Sequence, residues 1–321
     1  MPNAADLPPE FALIARHFRP LAGPGALELT DDAAVFAPPP GRELVVAADA
    51  MVQSVHFLPD DPPDLVGRKL LRTNLSDLAA MAATPLGYLL TVSAPRATPD
   101  AWFAGFAAGL AQDQAEFGLW LLGGDTTSTT GPICLSLTVL GTVAPGCAVR
   151  RVGARPGYGL WVSGTIGDGA LGLLAAQGQI PDPDAYLTDR YRLPRPRLAL
   201  GAGLCGVAAA AMDVSDGLVQ DVGHLCRAGG LAAEIEADLV PLSPAARAAG
   251  PGHRERCLTG GDDYELAMAV PPERLPALRM AAGNVPITPI GRFVAGPAHV
   301  AVRGADGREV PLARGGWDHF G

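Results

Sequence analysis

Apolar and polar positions along this chain recur with two different periods, and the switches between them mark the elements. A helical spacing over residues 11–18 predicts a short amphipathic helix. The stretch 29–36 reads as an acidic pair, Asp31-Asp32, leading into a strand that takes in Val35-Phe36, and the apolar run 43–48 predicts a buried strand ending at Asp49. Residues 53–61 read as a loop holding His56. A long helix then starts at Asp61-Pro62-Pro63, with Asp61 as N-cap and proline in the first turn, and Pro85 stops it. Further strands are predicted at 86–93, 119–122 and 133–143, with a helix over 100–117 capped by Thr98. Pro145-Gly146 breaks the pattern, and a domain boundary is expected there. Beyond it, strands at 160–163, 207–212, 231–235 and 265–270 alternate with helices at 169–176, 195–204, 218–228 and 271–282. Short strands follow, down to the tail Gly316-Trp317-Asp318-His319-Phe320. Alternating strands and helices in both halves predict two α/β domains.

Within the first long helix, Leu70, Asn74, Asp77 and Met81 fall on one stripe, and Asp77 is the only charge between Thr73 and Ala83. A carboxylate on an apolar helix is paired with a cationic side chain, caps a neighbour, or binds a cation. Taken alone, Asp77 leaves those alternatives open. The wider set sharpens the choice. Aspartates adjoin apolar runs at Asp31/Asp32, Asp49, Asp77, Asp125, Asp213/Asp216 and Asp262/Asp263, two of these sites being introduced by Gly-Gly. Singly each reads as a turn or cap residue. Converging, they would repel one another unless a cation intervened. Carboxylate oxygens without a His/Cys cluster suit Mg²⁺ rather than zinc.

Composition narrows the partners. The chain of 321 residues carries 48% apolar and 18% charged residues. That is enough for two domains with a sizeable core. No apolar run is long enough to cross a bilayer, and no signal-peptide pattern opens the sequence. A net charge of −9 disfavours nucleic acid. The 5 cysteines lack C-x-x-C spacing, which predicts reduced thiols in the cytoplasm and no zinc site. Lys69 is the sole lysine and no P-loop pattern is present, so phosphate must find other donors. The candidates are the backbone of the Gly164–Gly169 turn and the pair Arg150-Arg151; a solvated pair of arginines remains the alternative.

Five segments, taken in order, carry a family resemblance. They are Asp31-Asp32-Ala33-Ala34, Asn74-Leu75-Ser76-Asp77-Leu78-Ala79-Ala80-Met81, Gly123-Gly124-Asp125-Thr126-Thr127, Asp213-Val214-Ser215-Asp216-Gly217 and Gly260-Gly261-Asp262-Asp263-Tyr264-Glu265-Leu266. Together they resemble the bacterial thiamine-monophosphate kinases, in the ATP-binding superfamily of aminoimidazole ribonucleotide synthetase and selenophosphate synthetase. The resemblance implies an α/β (α+β) fold of two domains, 1–148 for ATP, Mg²⁺ and dimerisation and 149–321 as the C-terminal α/β domain. The N-terminal mixed sheet would close into a barrel in a cytoplasmic homodimer. The implied reaction takes ATP and thiamine monophosphate to ADP and thiamine diphosphate, by direct transfer with no covalent nucleophile.

By the same resemblance, Asp32, Asp49, Asp77, Asp125, Asp213 and Asp216 bind several Mg²⁺ ions, joined by the backbone of Ala48. Phe117, Gly124, Asp125, Arg151 and Ser215 would contact ATP, and His56, Asp262 and Trp317 the thiamine phosphate. Three positions depart from the family pattern: Ala47-Ala48 replaces Ser-Thr, Asp262 replaces Glu, and Phe117 replaces Tyr. Selenophosphate synthesis is disfavoured, because no cysteine precedes Cys134 and Lys69 lies in a helix. Aminoimidazole ribonucleotide synthesis and a non-catalytic nucleotide-binding maturation role remain as alternatives on the same scaffold.

Overall fold

The structure is a computed structural model that describes residues 7–318, and the tail residues His319 and Phe320 lie outside them. Two compact units emerge, residues 1–78 with 84–145, and residues 79–83 with 146–321.

The first unit opens with α1 (Pro9–Leu13), continued by one π-helical turn over Ile14–Phe18. The strand expected at Val35-Phe36 is absent; that stretch is irregular and Val35 is exposed. Then follow β1 (Glu43–Val52), α2 (Pro63–Ala80), β2 (Thr84–Pro95), α3 (Asp100–Phe117), β3 (Trp120–Thr129) and β4 (Cys134–Val143). The strands form a mixed sheet in the order β1-β4-β2-β3, with only β2 and β3 parallel. Contrary to the sequence reading, β1 is a half-exposed edge strand that runs past Asp49 to Val52. Its odd positions Val45 and Met51 are buried, as are Leu137, Leu90 and Val92 on the neighbouring strands, while Leu44 and Val46 are exposed. Apolar side chains of α2 and α3 supply the rest of the unit's core, among them Leu70, Leu71, Leu75, Phe106 and Leu110.

Before α2, the Asp61 carboxylate accepts from the Leu58 N–H at 2.8 Å, and the Val66 N–H bonds the Pro62 carbonyl. One helix start differs from expectation. Thr98 does not cap α3, whose N-cap is Pro99 and whose C-cap is Gly118 at φ 69°. That left-handed conformation is the usual glycine stop of a helix.

In the second unit, β5 (Gly159–Ser163), α4 (Asp168–Ala176), α5 (Tyr186–Arg192), α6 (Leu198–Ala202), β6 (Ala210–Asp213) and α7 (Leu218–Gly229) come first. They are followed by β7 (Ala232–Glu236), α8 (Pro244–Ala248), α9 (Arg254–Thr259), β8 (Leu266–Val270), α10 (Leu275–Ala282), β9 (Ile287–Val294) and β10 (His299–Arg303). The sheet order is β10-β7-β9-β5-β8-β6. Every residue of β8 is buried, because helices cover both faces. Ala267 and Ala269 share a core with Leu218, Val222 and Leu225 of α7. Leu266, Met268 and Val270 share the other core with Leu200, Leu278 and the last turn of α2. No helix among the described residues is long and apolar enough to cross a membrane.

The expectation of reduced thiols is overturned at one pair. Cys147 and Cys205 are joined by a disulfide across 58 residues of sequence, while Cys134, Cys226 and Cys257 are free.

Candidate active site

In the first unit, α2 faces β1 across a buried amide. Asn74 Nδ2 donates to the Leu70 carbonyl at 2.9 Å, which turns its Oδ1 to accept the Asp49 N–H at 3.2 Å. One turn further on, Asp77 is half-buried rather than enclosed. Asp32 lies in an exposed bend. The His56 ring accepts the Val52 N–H at 3.0 Å, and the His56 carbonyl accepts from the buried Lys69 Nζ at 3.0 Å. The sole lysine is therefore a clamp on the His56 loop. Phe117 ends α3 with the Arg72 guanidinium 5.0 Å from its ring centre, within cation–π range. Arg72 is held in turn by Asp113 at 2.7 and 2.9 Å and by Glu116 at 2.6 Å.

The Gly123-Gly124-Asp125 segment, expected just beyond a short strand at 119–122, lies inside β3. Its second glycine is needed for close approach. A Cβ on Gly124 would sit 1.7 Å from the Leu90 carbonyl oxygen of β2. Sheet register also sorts the acids. Asp125 pairs with Thr91 in the row of Ser136 and Ala50, whereas Asp49 is in the row of Leu137 and Leu90. Side chains alternate along a strand, so Asp49 and Asp125 leave opposite faces of the sheet, as do Ala48 and Asp49.

The second unit does bring expected residues together. Asp262 N donates to the Ser215 carbonyl at 2.9 Å and Tyr264 N to the Val214 carbonyl at 2.8 Å, pinning the second Gly-Gly turn to the Asp213–Gly217 loop. A Cβ on Gly261 would meet the Ser215 oxygen at 2.2 Å, and Asp262 itself holds φ 71°. On the same loop, Trp317 N donates to the Asp216 carbonyl at 2.9 Å. Arg151 is exposed, and its charge, with that of Arg227, pushes His224 below its usual range after burial has done the larger part, while Asp216 pulls it up. Ser215 and Asp262, and Asp216 and Trp317, are thus hydrogen-bonded in pairs on one loop, and Arg151 and Asp216 both act on His224.

Two residues central to this arrangement carry no assignment from the sequence. Asp221, in the first turn of α7, accepts the N–H groups of Ser215, Asp216 and Gly217 on one oxygen, at 3.0, 3.0 and 3.2 Å. No side chain caps α7 itself, whose N-cap is Gly217. Burial first, then the charges of Asp213 and Asp216, push Asp221 up to about 8 against the pull of the loop N–H groups. The other residue is Asp263. Its carboxylate accepts the Gly167 N–H at 2.7 Å and the Gly169 N–H at 3.0 Å, and burial raises its pKa well above the carboxylate range. The Gly164–Gly169 turn, expected to receive a phosphate, therefore spends these two N–H groups on an internal carboxyl group. Its sequence signal is the second acid of Gly-Gly-Asp-Asp. Nearby, the buried Glu265 accepts from Ser163 and Arg197 at 2.6 Å each and from Arg190 at 3.2 Å, fixing the start of β8.

No group of three or more His, Cys, Asp or Glu side chains gathers at metal-binding spacing among the described residues. The donors available around the Asp213–Gly217 loop are carboxylate oxygens, the kind that suit a hard divalent cation, and the charges of Asp213 and Asp216 both bear on Asp221.

Comparison with known proteins gives this arrangement its class. The family model for the N-terminal domain of AIR synthase related proteins matches residues 30–143, and that for the C-terminal domain matches residues 155–303. The thiamine-monophosphate kinase of Caulobacter vibrioides is 47% identical over 98% of this chain and 92% of its own. The crystal structure of the Stenotrophomonas maltophilia thiamine-monophosphate kinase superposes with a TM-score of 0.79 at 39% identity, covering 88% of this chain and 91% of that one. AaThiL complexed with AMPPCP and TMP superposes at 0.77 with 30% identity, covering 90% and 91%. Within the AIR synthase related class, the chain belongs to the thiamine-monophosphate kinase family.

Proposed function

We propose that the protein transfers the γ-phosphoryl group of ATP directly to the phosphate of thiamine monophosphate, giving ADP and thiamine diphosphate. The observation that carries this reading is the 47% identity to a thiamine-monophosphate kinase along nearly the whole of both chains. The likeness to AaThiL in complex with AMPPCP and TMP supports the same pair of substrates.

In this reading Asp32, Asp49, Asp77, Asp125, Asp213 and Asp216, with the backbone of Ala48, are ligands of several Mg²⁺ ions, Asp49 and Asp125 serving different ions because they leave opposite faces of the sheet. Bound Mg²⁺ would neutralise phosphate charge and keep donor and acceptor in line. Gly124, Asp125, Arg151, Ser215 and Phe117 serve ATP, while His56, Asp262 and Trp317 serve thiamine monophosphate. Arg151 offers an exposed guanidinium to phosphate at the surface of its unit, and Asp221 holds Ser215 and Asp216 in a fixed loop.

Direct transfer is favoured by the state of the available nucleophiles. Cys257 is buried, and burial followed by the charges of Asp263 and Asp168 pushes it up to about 12, so its thiolate is not accessible near neutrality. Lys69 is buried against the His56 carbonyl. The acceptor phosphate is already anionic at neutral pH and needs little deprotonation.

The exposed apolar face of the N-terminal sheet supports a homodimer. Leu44, Val46 and Leu89 are 48%, 59% and 42% exposed on one face. A second copy of this chain would cover them. The proposed location is the cytoplasm, against which the Cys147–Cys205 bond is the contrary feature.

ATP consumption measured with and without thiamine monophosphate tests the reading. Turnover that requires thiamine monophosphate, with one thiamine diphosphate formed per ATP, is expected. ATP use indifferent to thiamine monophosphate would overturn the proposal in favour of another reaction of the superfamily. No turnover at all would favour a binding role.

A further inference from the structure

The first turn of α7 holds two neighbours at once. Asp221 grips the Asp213–Gly217 loop by its backbone N–H groups. The preceding residue, Gln220, donates its Nε2 to the Trp317 carbonyl at 2.6 Å. The Trp317 N–H completes the link by donating to the Asp216 carbonyl at 2.9 Å. Both backbone polar groups of Trp317 are therefore tied to this one corner. Earlier in the tail, Ala313 N donates to the Glu255 carboxylate at 2.6 Å, which fixes the approach of the segment. Close packing adds to the bonds. A Cβ on Gly316 would lie 2.4 Å from Gln220 Cβ and 2.8 Å from the Asp216 carbonyl oxygen. The indole of Trp317 nonetheless stays 48% exposed. A tail whose backbone is clamped while its aromatic ring remains accessible is built to present that ring.

We infer that Gln220 is a positioning residue for the acceptor substrate: by clamping the backbone of Trp317 against the Asp216 loop, it sets the ring that meets thiamine monophosphate in register with that loop. The inference rests on the proposed kinase reading and deepens it. Gln220 touches neither substrate in this scheme and acts only through Trp317. Its loss should therefore weaken recognition of the acceptor and leave the nucleotide side alone, because a preorganised contact has become a mobile one.

The test uses the full-length protein with Gln220→Met, which keeps length and bulk but removes the donor, and Gly316→Ala, which pushes the tail off sterically. Two readouts are taken: hydrogen exchange of the peptide covering residues 311–318, and steady-state kinetics in both substrates. Gln220→Met should raise exchange in that peptide and raise KM for thiamine monophosphate about fivefold, the scale of one net hydrogen bond. KM for ATP and the melting temperature should stay near wild type. Gly316→Ala should move the same two quantities further in the same direction. Unchanged exchange in both variants would mean that no clamp exists. Raised exchange with an unchanged acceptor KM would mean that the clamp holds the tail but not the substrate. Equal rises in both KM values would make Gln220 a general structural residue, and would likewise overturn the inference. If wild type turns over ATP without using thiamine monophosphate, the kinase reading itself falls, and the positioning role falls with it.

Discussion

Replacing Asp221 with asparagine should make the protein more stable at neutral pH, by an amount that grows as the pH rises. The Asp221 side chain is 1% exposed, and one of its two oxygens is buried without a hydrogen-bond partner. Its pKa is raised from 3.8 to about 8, mainly by burial. In the unfolded chain the carboxyl ionises near 3.8, whereas in the fold it keeps its proton until about 8. Between those values the unfolded state binds fewer protons, so stability falls as the pH rises through that window. Below it both states are protonated and the difference vanishes; above it the full penalty is present. At pH 7 the gap spans roughly three pH units at about 1.4 kcal/mol each, a penalty on the order of 4 kcal/mol.

Asparagine cannot ionise, and its amide oxygen can still accept the three loop N–H groups now bonded to Asp221. Its NH₂ group falls where the other oxygen now lies unpartnered, at a desolvation cost of about 1–3 kcal/mol. The net expectation at pH 7 is a gain of about 2 kcal/mol, visible as a rise of several degrees in melting temperature. Thermal unfolding of both proteins from pH 5 to 8 in a chelating buffer reads this directly. The variant's advantage should be small at pH 5 and largest at pH 8. Added Mg²⁺ should flatten the wild-type profile, since a cation held by Asp213 and Asp216 also favours ionised Asp221. Parallel stability profiles for the two proteins would refute the reasoning, because they would mean that Asp221 is already ionised across this range.

The remaining expectations concern activity and the disulfide. Asp77→Asn should lower the rate of thiamine diphosphate formation at least about a hundredfold, the scale for losing a metal-site residue, with unfolding unchanged; wild-type turnover would remove Asp77 from the metal site. Trp317→Ala should raise KM for thiamine monophosphate and leave KM for ATP alone, whereas a loss of melting temperature without that split would make Trp317 a packing residue. The bonded cysteines Cys147 and Cys205 are separated by 58 residues. On the chain-entropy scale for a loop of that length, Cys147→Ser should lower stability by up to about 4 kcal/mol; wild-type protein treated with a reductant should match the variant, and an unmoved melting curve would show that the bond does not constrain the fold.

Elements with a full apolar period and a clear stop were legible from residues alone. Helix α3 runs from Asp100 to Phe117 as expected, because Pro99 and Gly118 punctuate a long apolar stripe. The five-residue helix α8 escaped notice although Ser243 caps it by accepting the Ala246 N–H, a Ser-Pro start too short to show a period. The strand expected to end at Leu122 continues through Gly123-Gly124 to Thr129 for a physical reason. Glycine signals both a turn and a close backbone approach, and only the position of β2 decides between them. The disulfide was not legible, since nothing in the spacing of Cys147 and Cys205 brings them together until β5 through α6 has folded between them.

The acids divide along the same line. Their recurrence beside apolar runs was readable, and it drew attention to Asp213, Asp216 and Asp262. What sequence could not separate is an acid that faces a ligand from one that shapes the backbone presenting it. Asp221 and Asp263 belong to the second kind, each gathering N–H groups of a glycine-bearing loop onto a buried carboxylate. A loop that meets polyanions would otherwise expose those donors and bind phosphate through its backbone, the role expected of the Gly164–Gly169 turn. Filling them from within leaves carboxylates and arginine to determine what the loop recognises. A set of ionised carboxylates repels a bare phosphate and accepts one accompanied by a cation. On the proposed kinase reading, the internal acids would bear on specificity as well as stability: by removing the backbone as a competing anion site, they would favour the metal-bound form of the nucleotide over the free one.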